Sequence, residues 1–225
     1  MITSRDNERL KLVRKLHDRR WRDKLGLYVA EGEDLVDAAR AAGLEPVDLL
    51  AAGETVEAAL LAEVSTLAHP PRVVAVFRRD GLPRGTRPAT LALWHVADPG
   101  NVGTLLRSAD AFGAGVALSP GCADPTGPKA LRASMGALFR VPLAGFDEAP
   151  GRRVALVPRG GTPLTEVDLS GEVVLVLGAE RSGLPADVLD RCDVQATIPQ
   201  TGRAESLNVA MAGTVALYEL ARSAS

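Results

Sequence analysis

Three short segments gather the polar and glycine residues able to hold a ligand. The first runs Asn101-Val102-Gly103-Thr104-Leu105-Leu106-Arg107 and on to Gly113. Asn101 is placed to cap a helix. Arg107 sits about two turns in, and Gly103, four residues earlier, leaves that face open for a ligand. The second runs from Leu175 through Gly178-Ala179-Glu180-Arg181-Ser182-Gly183 to Leu184. A glycine directly after a buried strand lets a ligand come close to the backbone. The third is Ile198-Pro199-Gln200, followed by Ser206-Leu207-Asn208 at the entry to the last helix. Ser206 suits the helix N-cap, where free N–H groups await an acceptor.

Several other chemistries are excluded. Gly178 to Gly183 has the glycine spacing of a phosphate-binding P-loop, but Leu184-Pro185 stand where Lys and Ser/Thr are needed. Gly113-Ala114-Gly115 precedes a strand rather than a helix, so it is no dinucleotide fingerprint. His17, His69 and His95 are scattered, and Cys122 and Cys192 lie far apart, so no zinc spacing exists and no metal is expected. The two cysteines read as packing residues. No Gly-x-Ser-x-Gly elbow occurs.

The elements that must position these loops alternate. Strands are expected over 91–96, 115–119, 154–157 and 173–177. Helices are expected over 102–112, 129–137, 185–191 and 207–222. Such alternation implies a mainly parallel sheet covered on both faces, with sites beyond the carboxyl ends of its strands. Before it, residues 27–30, 47–51 and 73–77 read as strands and 7–20, 33–42 and 54–67 as helices, a compact βαβ-type unit. The run at 73–77 is apolar throughout, the mark of a strand buried on both faces. Domains are therefore expected over 1–78 and 90–225, joined by a linker over 79–89 that is rich in Gly, Pro and charge.

The chain has 225 residues, 46% hydrophobic and 24% charged, which excludes whole-chain disorder. Two cysteines cannot staple a chain of this length. No apolar run approaches the roughly 20 residues of a membrane helix, and the N-terminus opens with charge, so the expected location is the cytoplasm. Net charge is −2, yet residues 5–24 hold nine basic against four acidic side chains. A basic segment on an acidic body is either a helix laced with ion pairs or a phosphate-contacting surface. Arg5, Arg9, Arg14, Arg19 and Arg20 are its candidate RNA contacts.

The three segments, in this order and near the C-terminus, resemble the SpoU/TrmH family of RNA 2′-O-ribose methyltransferases, within the SPOUT superfamily. The resemblance covers residues 90–222. Residues 129–137 are similar to the family's RNA-facing segment, which adds Arg132 and Ser134 as RNA contacts. The N-terminal part resembles the family's L30e-like substrate-binding domain. The resemblance implies an α/β fold with a deep trefoil knot, which sequence arithmetic does not propose because knots are rare. It implies S-adenosyl-L-methionine as methyl donor, with no metal, held by Val157, Pro158, Leu177, Gly178, Ala179, Glu180, Gly183, Ile198, Pro199, Gln200, Ser206, Leu207 and Asn208. It also implies Arg107 as the key catalytic residue, contributed across a homodimer interface, with Asn101, Glu180, Ser206 and Asn208 as the other functional positions. The last helix is apolar nearly all round, and a second copy of the chain would cover it.

A guanidinium hardly deprotonates, so Arg107 is read as a phosphate clamp that steadies a developing oxyanion rather than as a base. Ribosomal RNA of the 23S type is the expected substrate, with transfer RNA second. The alternatives are a non-catalytic RNA-binding protein that kept the fold, and methylation of a base rather than a ribose.

Overall fold

A computed structural model describes residues 1–202 and 206–223. The first domain comprises α1 (Glu8–Leu16), α2 (Arg19–Leu25), β1 (Leu27–Glu31), α3 (Glu33–Ala41), β2 (Asp48–Ala51), α4 (Ala58–Val64) and β3 (Val73–Arg78). Leu10, Val13 and Leu16 recur on the buried face of α1, and Asn7 caps it by accepting from the Arg9 N–H. The single basic helix expected over 7–20 is two helices. Asp18 caps α2 through the Arg20 N–H. The Arg22 guanidinium takes the Leu16 and His17 carbonyls at 2.9 and 2.8 Å, satisfying groups that a continuous helix would have paired.

The sheet of this domain has the order β1-β3-β2, with both pairings antiparallel. The βαβ expectation holds for β1 and β2, which share a direction. The third strand inserts between them in reverse. Its apolar run serves two cores in alternation. Val74 and Val76 pack with α1 and α4, while Ala75 and Phe77 face the second domain. The helix expected over 54–67 is only the seven residues of α4.

The second domain comprises β4 (Ala89–Leu93), α5 (Pro99–Ala111), β5 (Gly115–Leu118), α6 (Pro128–Ser134), β6 (Leu143–Gly145), β7 (Arg152–Leu156), β8 (Thr162–Pro163), β9 (Val173–Leu177), α7 (Ala186–Leu189), β10 (Val194–Thr197) and α8 (Val209–Ser223). Seven strands lie in the order β6-β5-β4-β9-β7-β10-β8, and every neighbouring pair is parallel. Leu91, Leu93, Leu175 and Leu177 point to one face, beneath α5 and α8. Ala92, Val174 and Val176 point to the other, beneath α7 and Phe146. The short β6, β8 and β10 went unread in the sequence, because two to four residues carry too little periodicity to stand out.

The segment expected as a linker is a pinned strap. Leu82 is buried, and the Pro83 carbonyl and Gly85 N–H both pair with Leu143, the first residue of β6. The two domains share one apolar core, in which Tyr28 and Phe77 stack with each other and meet Phe139. A buried ion cluster sits beside that core. Asp124 pairs with Arg22 at 2.7 Å and with Arg79 at 2.5 Å, and accepts from Thr126. Among the described residues, no helix is long and apolar enough to cross a membrane.

Burial pushes the Asp124 pKa up, but Thr126, Arg79 and Arg22 more than reverse this, so it lies below the usual carboxylate range. Asp124→Ala would leave Arg22 buried without its counter-ion. The expected loss is about 3–5 kcal/mol of folding stability, read by urea denaturation at neutral pH. Because folding lowers this pKa, the contribution is complete above the unfolded Asp value and drains away as pH falls below about 3.9. The gap between wild type and variant should therefore narrow in acid.

Candidate functional site

The chain leaving β4 turns at Asp98, whose carboxylate accepts from the Asn101 N–H and so caps α5. The cap is thus Asp98, and Asn101 lies inside the first turn. The Asp98 pKa is lowered, first by its hydrogen bond from Lys129 and then by that from Asn101. Relieved of capping, the Asn101 amide bridges two other loops. Its Nδ2 donates to Glu180 Oε1 at 3.1 Å, and its Oδ1 accepts from Asn208 Nδ2 at 3.1 Å. Asn208 in turn caps α8, its Oδ1 accepting from Ala210 and Met211 N–H. The cap expected at Ser206 falls to Asn208 because α8 begins at Val209.

Glu180 also accepts from the Ala97 and Asp98 N–H groups at 3.3 and 3.1 Å. Burial raises its pKa, while the bonds from Asn101 and from backbone N–H groups lower it further than burial raises it. The net shift is downward, in favour of the ionised carboxylate.

The loops after β7, β9 and β10 and the start of α8 enclose a cavity of about 370 Å³. Val157, Pro158, Leu177, Gly178, Ala179, Glu180, Gly183, Ile198, Gln200, Ser206, Leu207 and Asn208 line it, while Pro199 is exposed and does not. Leu156, Arg181, Val209 and Ala212 line it too and were not singled out in the sequence. Val209 and Ala212 stand three apart on one helical face, a signal available once the helix start is placed correctly. Arg181 carried no such signal.

Both glycines expected to admit a ligand make room for the chain itself, and Gly178 lines the cavity as well. A Cβ on Gly178 would lie 2.3 Å from the Gly183 carbonyl carbon, so its space is taken by its own loop, closed by mutual Ala179–Gly183 backbone bonds. A Cβ on Gly103 would lie 2.3 Å from the Ala130 oxygen, so this glycine lets α5 and α6 pack backbone to backbone.

Arg107 lies on the outer side of α5, exposed, with no hydrogen bond or ion pair among the described residues, and outside the cavity lining. On the neighbouring α8, Met211, Val215 and Tyr218 are exposed as well. The two helices are joined by Ser108–Thr214 at 2.6 Å and by the Phe112–Tyr218 edge contact.

The expected RNA contacts separate. Arg9 holds Asp48 in a forked pair, Arg5 and Arg14 both pair with Glu63, and Arg19 donates to the Cys122 carbonyl. Arg132 donates to Thr66 Oγ1 and lies 3.9 Å from the buried Glu31. Ser134 is buried and bonds back to the Leu131 carbonyl, which removes it from any surface. Arg20 alone of this set is exposed with no side-chain partner among the described residues. Most of the basic segment is thus ion-paired structure. Cys122 is buried, and burial raises the Cys192 thiol pKa, as suits packing residues.

Comparison with known proteins agrees with this architecture. Residues 88–218 match the SpoU rRNA Methylase family, and residues 7–77 match the MRM3-like substrate binding domain. The chain belongs to the SpoU rRNA methylase family. It is 34% identical to an uncharacterised tRNA/rRNA methyltransferase of Synechocystis, over 98% of this chain and 93% of that one. It is 31% identical to the 23S rRNA (guanosine(2553)-2′-O)-methyltransferase RlmP of Bacillus subtilis, over 97% and 98% of the two chains. The AdoMet-bound rRNA methyltransferase from Sinorhizobium meliloti superposes with a TM-score of 0.88 at 31% identity, covering 98% and 97%.

Asn101 supplies the largest of the contacts that lower the Glu180 pKa. Asn101→Ala is therefore expected to raise that pKa toward the ordinary Glu value, read by carbon-13 NMR titration of the side-chain carboxyl. An unmoved Glu180 titration would show that the amide bridge is not formed in solution.

Proposed function

We propose that the chain methylates a ribose 2′-hydroxyl in ribosomal RNA of the 23S type, in the cytoplasm, with S-adenosyl-L-methionine as donor. The observation that carries this reading is the cavity at the carboxyl ends of parallel strands, lined by the second and third motifs and tied to the first through the Asn101 bonds to Glu180 and Asn208. The Bacillus relative, named for 23S rRNA, matches this chain nearly end to end, N-terminal domain included. Transfer RNA is the second substrate in order of support. We also infer that the loops around the cavity cross as the trefoil of the family.

The residues suit the donor. A volume of about 370 Å³ lies within the range of small-molecule sites. Leu156, Leu177, Ile198 and Leu207 offer apolar walls to a flat base, and Gln200, Ser206 and Asn208 offer polar groups. Glu180 places a permanent negative charge on the wall, complementary to a sulfonium. Bound there, S-adenosyl-L-methionine supplies an electrophilic methyl group.

The chain's own residues align the reactants and steady charge. Arg107 grips the phosphate beside the target ribose and stabilises the oxygen as its proton leaves to phosphate or water. Asn101 holds Glu180 and Asn208 in register, so the cavity wall and the first turn of α5 move as one. Arg107 does not reach the cavity of its own chain, and the exposed face it shares with Met211, Val215 and Tyr218 fits a second copy. A homodimer formed there would bring each Arg107 toward its partner's cavity.

Methyl transfer from labelled S-adenosyl-L-methionine to RNA from a strain lacking the protein tests the substrate. Label in the ribosomal pool, recovered as a 2′-O-methyl nucleoside, is the expected result. Label only in transfer RNA, or recovered as a methylated base, overturns it. Arg107→Ala should lower kcat by about 100-fold or more with the donor's Kd unchanged, the pattern of a lost transition-state contact. Tyr218→Arg should convert the dimer to monomer in sedimentation and abolish turnover while leaving each chain folded. A variant that is both monomeric and fully active would refute the shared site.

A further inference from the structure

A second cavity, of about 420 Å³, lies where the two domains meet, and both contribute to it. Arg19 comes from α2, Leu82 and Arg84 from the strap, Ser119 and Cys122 from the chain after β5, and Gly145 from the end of β6. It opens beyond the carboxyl ends of β5 and β6, whereas the first cavity opens beyond β7, β9 and β10. Only β4 separates β5 from β9, so the nearest strands bordering the two sites are about 10 Å apart.

The chain leaving β4, the strand that lies between β5 and β9, is held in an unusual conformation. His95 has φ 51°, a left-handed backbone that non-glycine residues rarely adopt. Its N–H donates to Ser119 Oγ at 3.0 Å, and its ring stacks on Trp94 with centroids 4.8 Å apart. Gly121 lies against the same ring, where a Cβ would come within 3.2 Å. His95 is nonetheless exposed, and its ring nitrogens make no hydrogen bond among the described residues.

The charges around the second cavity are also unevenly spent. Asp23 and Asp124 are both held by Arg79, and Glu148 accepts from the Gly145 N–H at 2.8 Å. Arg84 is exposed and has no side-chain partner among the described residues. Asp23 and Asp124 are thus neutralised, while Arg84 in the lining has no counter-ion among the described residues.

We propose that this interdomain cleft is a second nucleotide-binding site for the RNA, taking an unpaired base close to the methylated residue. Arg84 grips the backbone phosphate of that nucleotide, and the His95 ring edge lines the path of the strand between the cavities. The cleft is large enough for a base, and RNA is read mostly through splayed-out, unpaired nucleotides. This inference rests on the RNA-methylating function proposed above and adds a place where the flanking sequence is held.

The test uses the full chain with protein-free ribosomal RNA from a strain lacking it. Arg84→Glu should raise the KM for RNA by about 10-fold and flatten the salt dependence of RNA binding by about one unit of slope. Its kcat at saturating RNA, the Kd for S-adenosyl-L-methionine and the melting temperature should stay as in wild type. Arg84→Lys should restore most of the RNA affinity. A wild type that methylates RNA, with a KM and salt slope unchanged in Arg84→Glu, overturns this inference alone. A wild type that binds no RNA overturns both this inference and the function on which it rests.

Discussion

The amide of Asn101 joins parts of the chain that are far apart in sequence. One end holds the carboxylate of Glu180, on the loop after β9. The other holds the side chain that caps α8. Asn101 itself sits in the first turn of α5, anchored through Asp98. An amide offers a donor and an acceptor at once, and no other side chain of this size does so with fixed geometry. The cavity wall, the first helix of the site and the last helix of the chain therefore hold one relative position. The same network lowers the pKa of the Glu180 carboxylate on the cavity wall.

A second constraint sets how the domains sit. Val74 and Val76 of β3 serve the small domain's own core, while Ala75 and Phe77 serve the shared one. The buried Arg22–Asp124–Arg79 cluster then specifies the junction more narrowly than apolar contact can, since each charge requires its partner in place. The strap between the domains is bonded to Leu143 on both sides. The N-terminal domain is consequently joined to the seven-stranded sheet by a shared core, a charge cluster and a bonded strap, and the cleft lies between them.

The arrangement also explains why a single chain presents its proposed catalytic arginine away from its own cavity. Gly103 and Gly213 let α5 pack closely against α6 and α8 respectively, which buries the inner faces of α5 and α8 and leaves Arg107 on the outside. Met211, Val215 and Tyr218 remain exposed on α8, and the proposed homodimer rests on that apolar surface.

Much of the fold was legible in the sequence. The alternation of strands and helices after residue 90, the doubly buried β3 and the three loops of the site all follow from period and turn chemistry. The residues that line the cavity came from the family resemblance, carried by the three glycine- and polar-rich segments, and not from period or turn chemistry. Capping roles were misassigned between neighbours: Asp98 caps α5 in place of Asn101, and Asn208 caps α8 in place of Ser206. A cap depends on where the helix starts, to within one residue. The basic segment was read as partly RNA-facing, yet Arg5, Arg9, Arg14 and Arg22 pair with Glu63, Asp48 and Asp124, partners that sequence spacing does not reveal. The sequence by itself determined the class of fold and the family of the chemistry, since these rest on local pattern. Only the tertiary structure decided which glycines make room for the chain itself, which charges are already neutralised and which arginines remain free. Those outcomes depend on contacts between residues tens of positions apart, and burial and charge pairing are properties of the folded neighbourhood rather than of the residue.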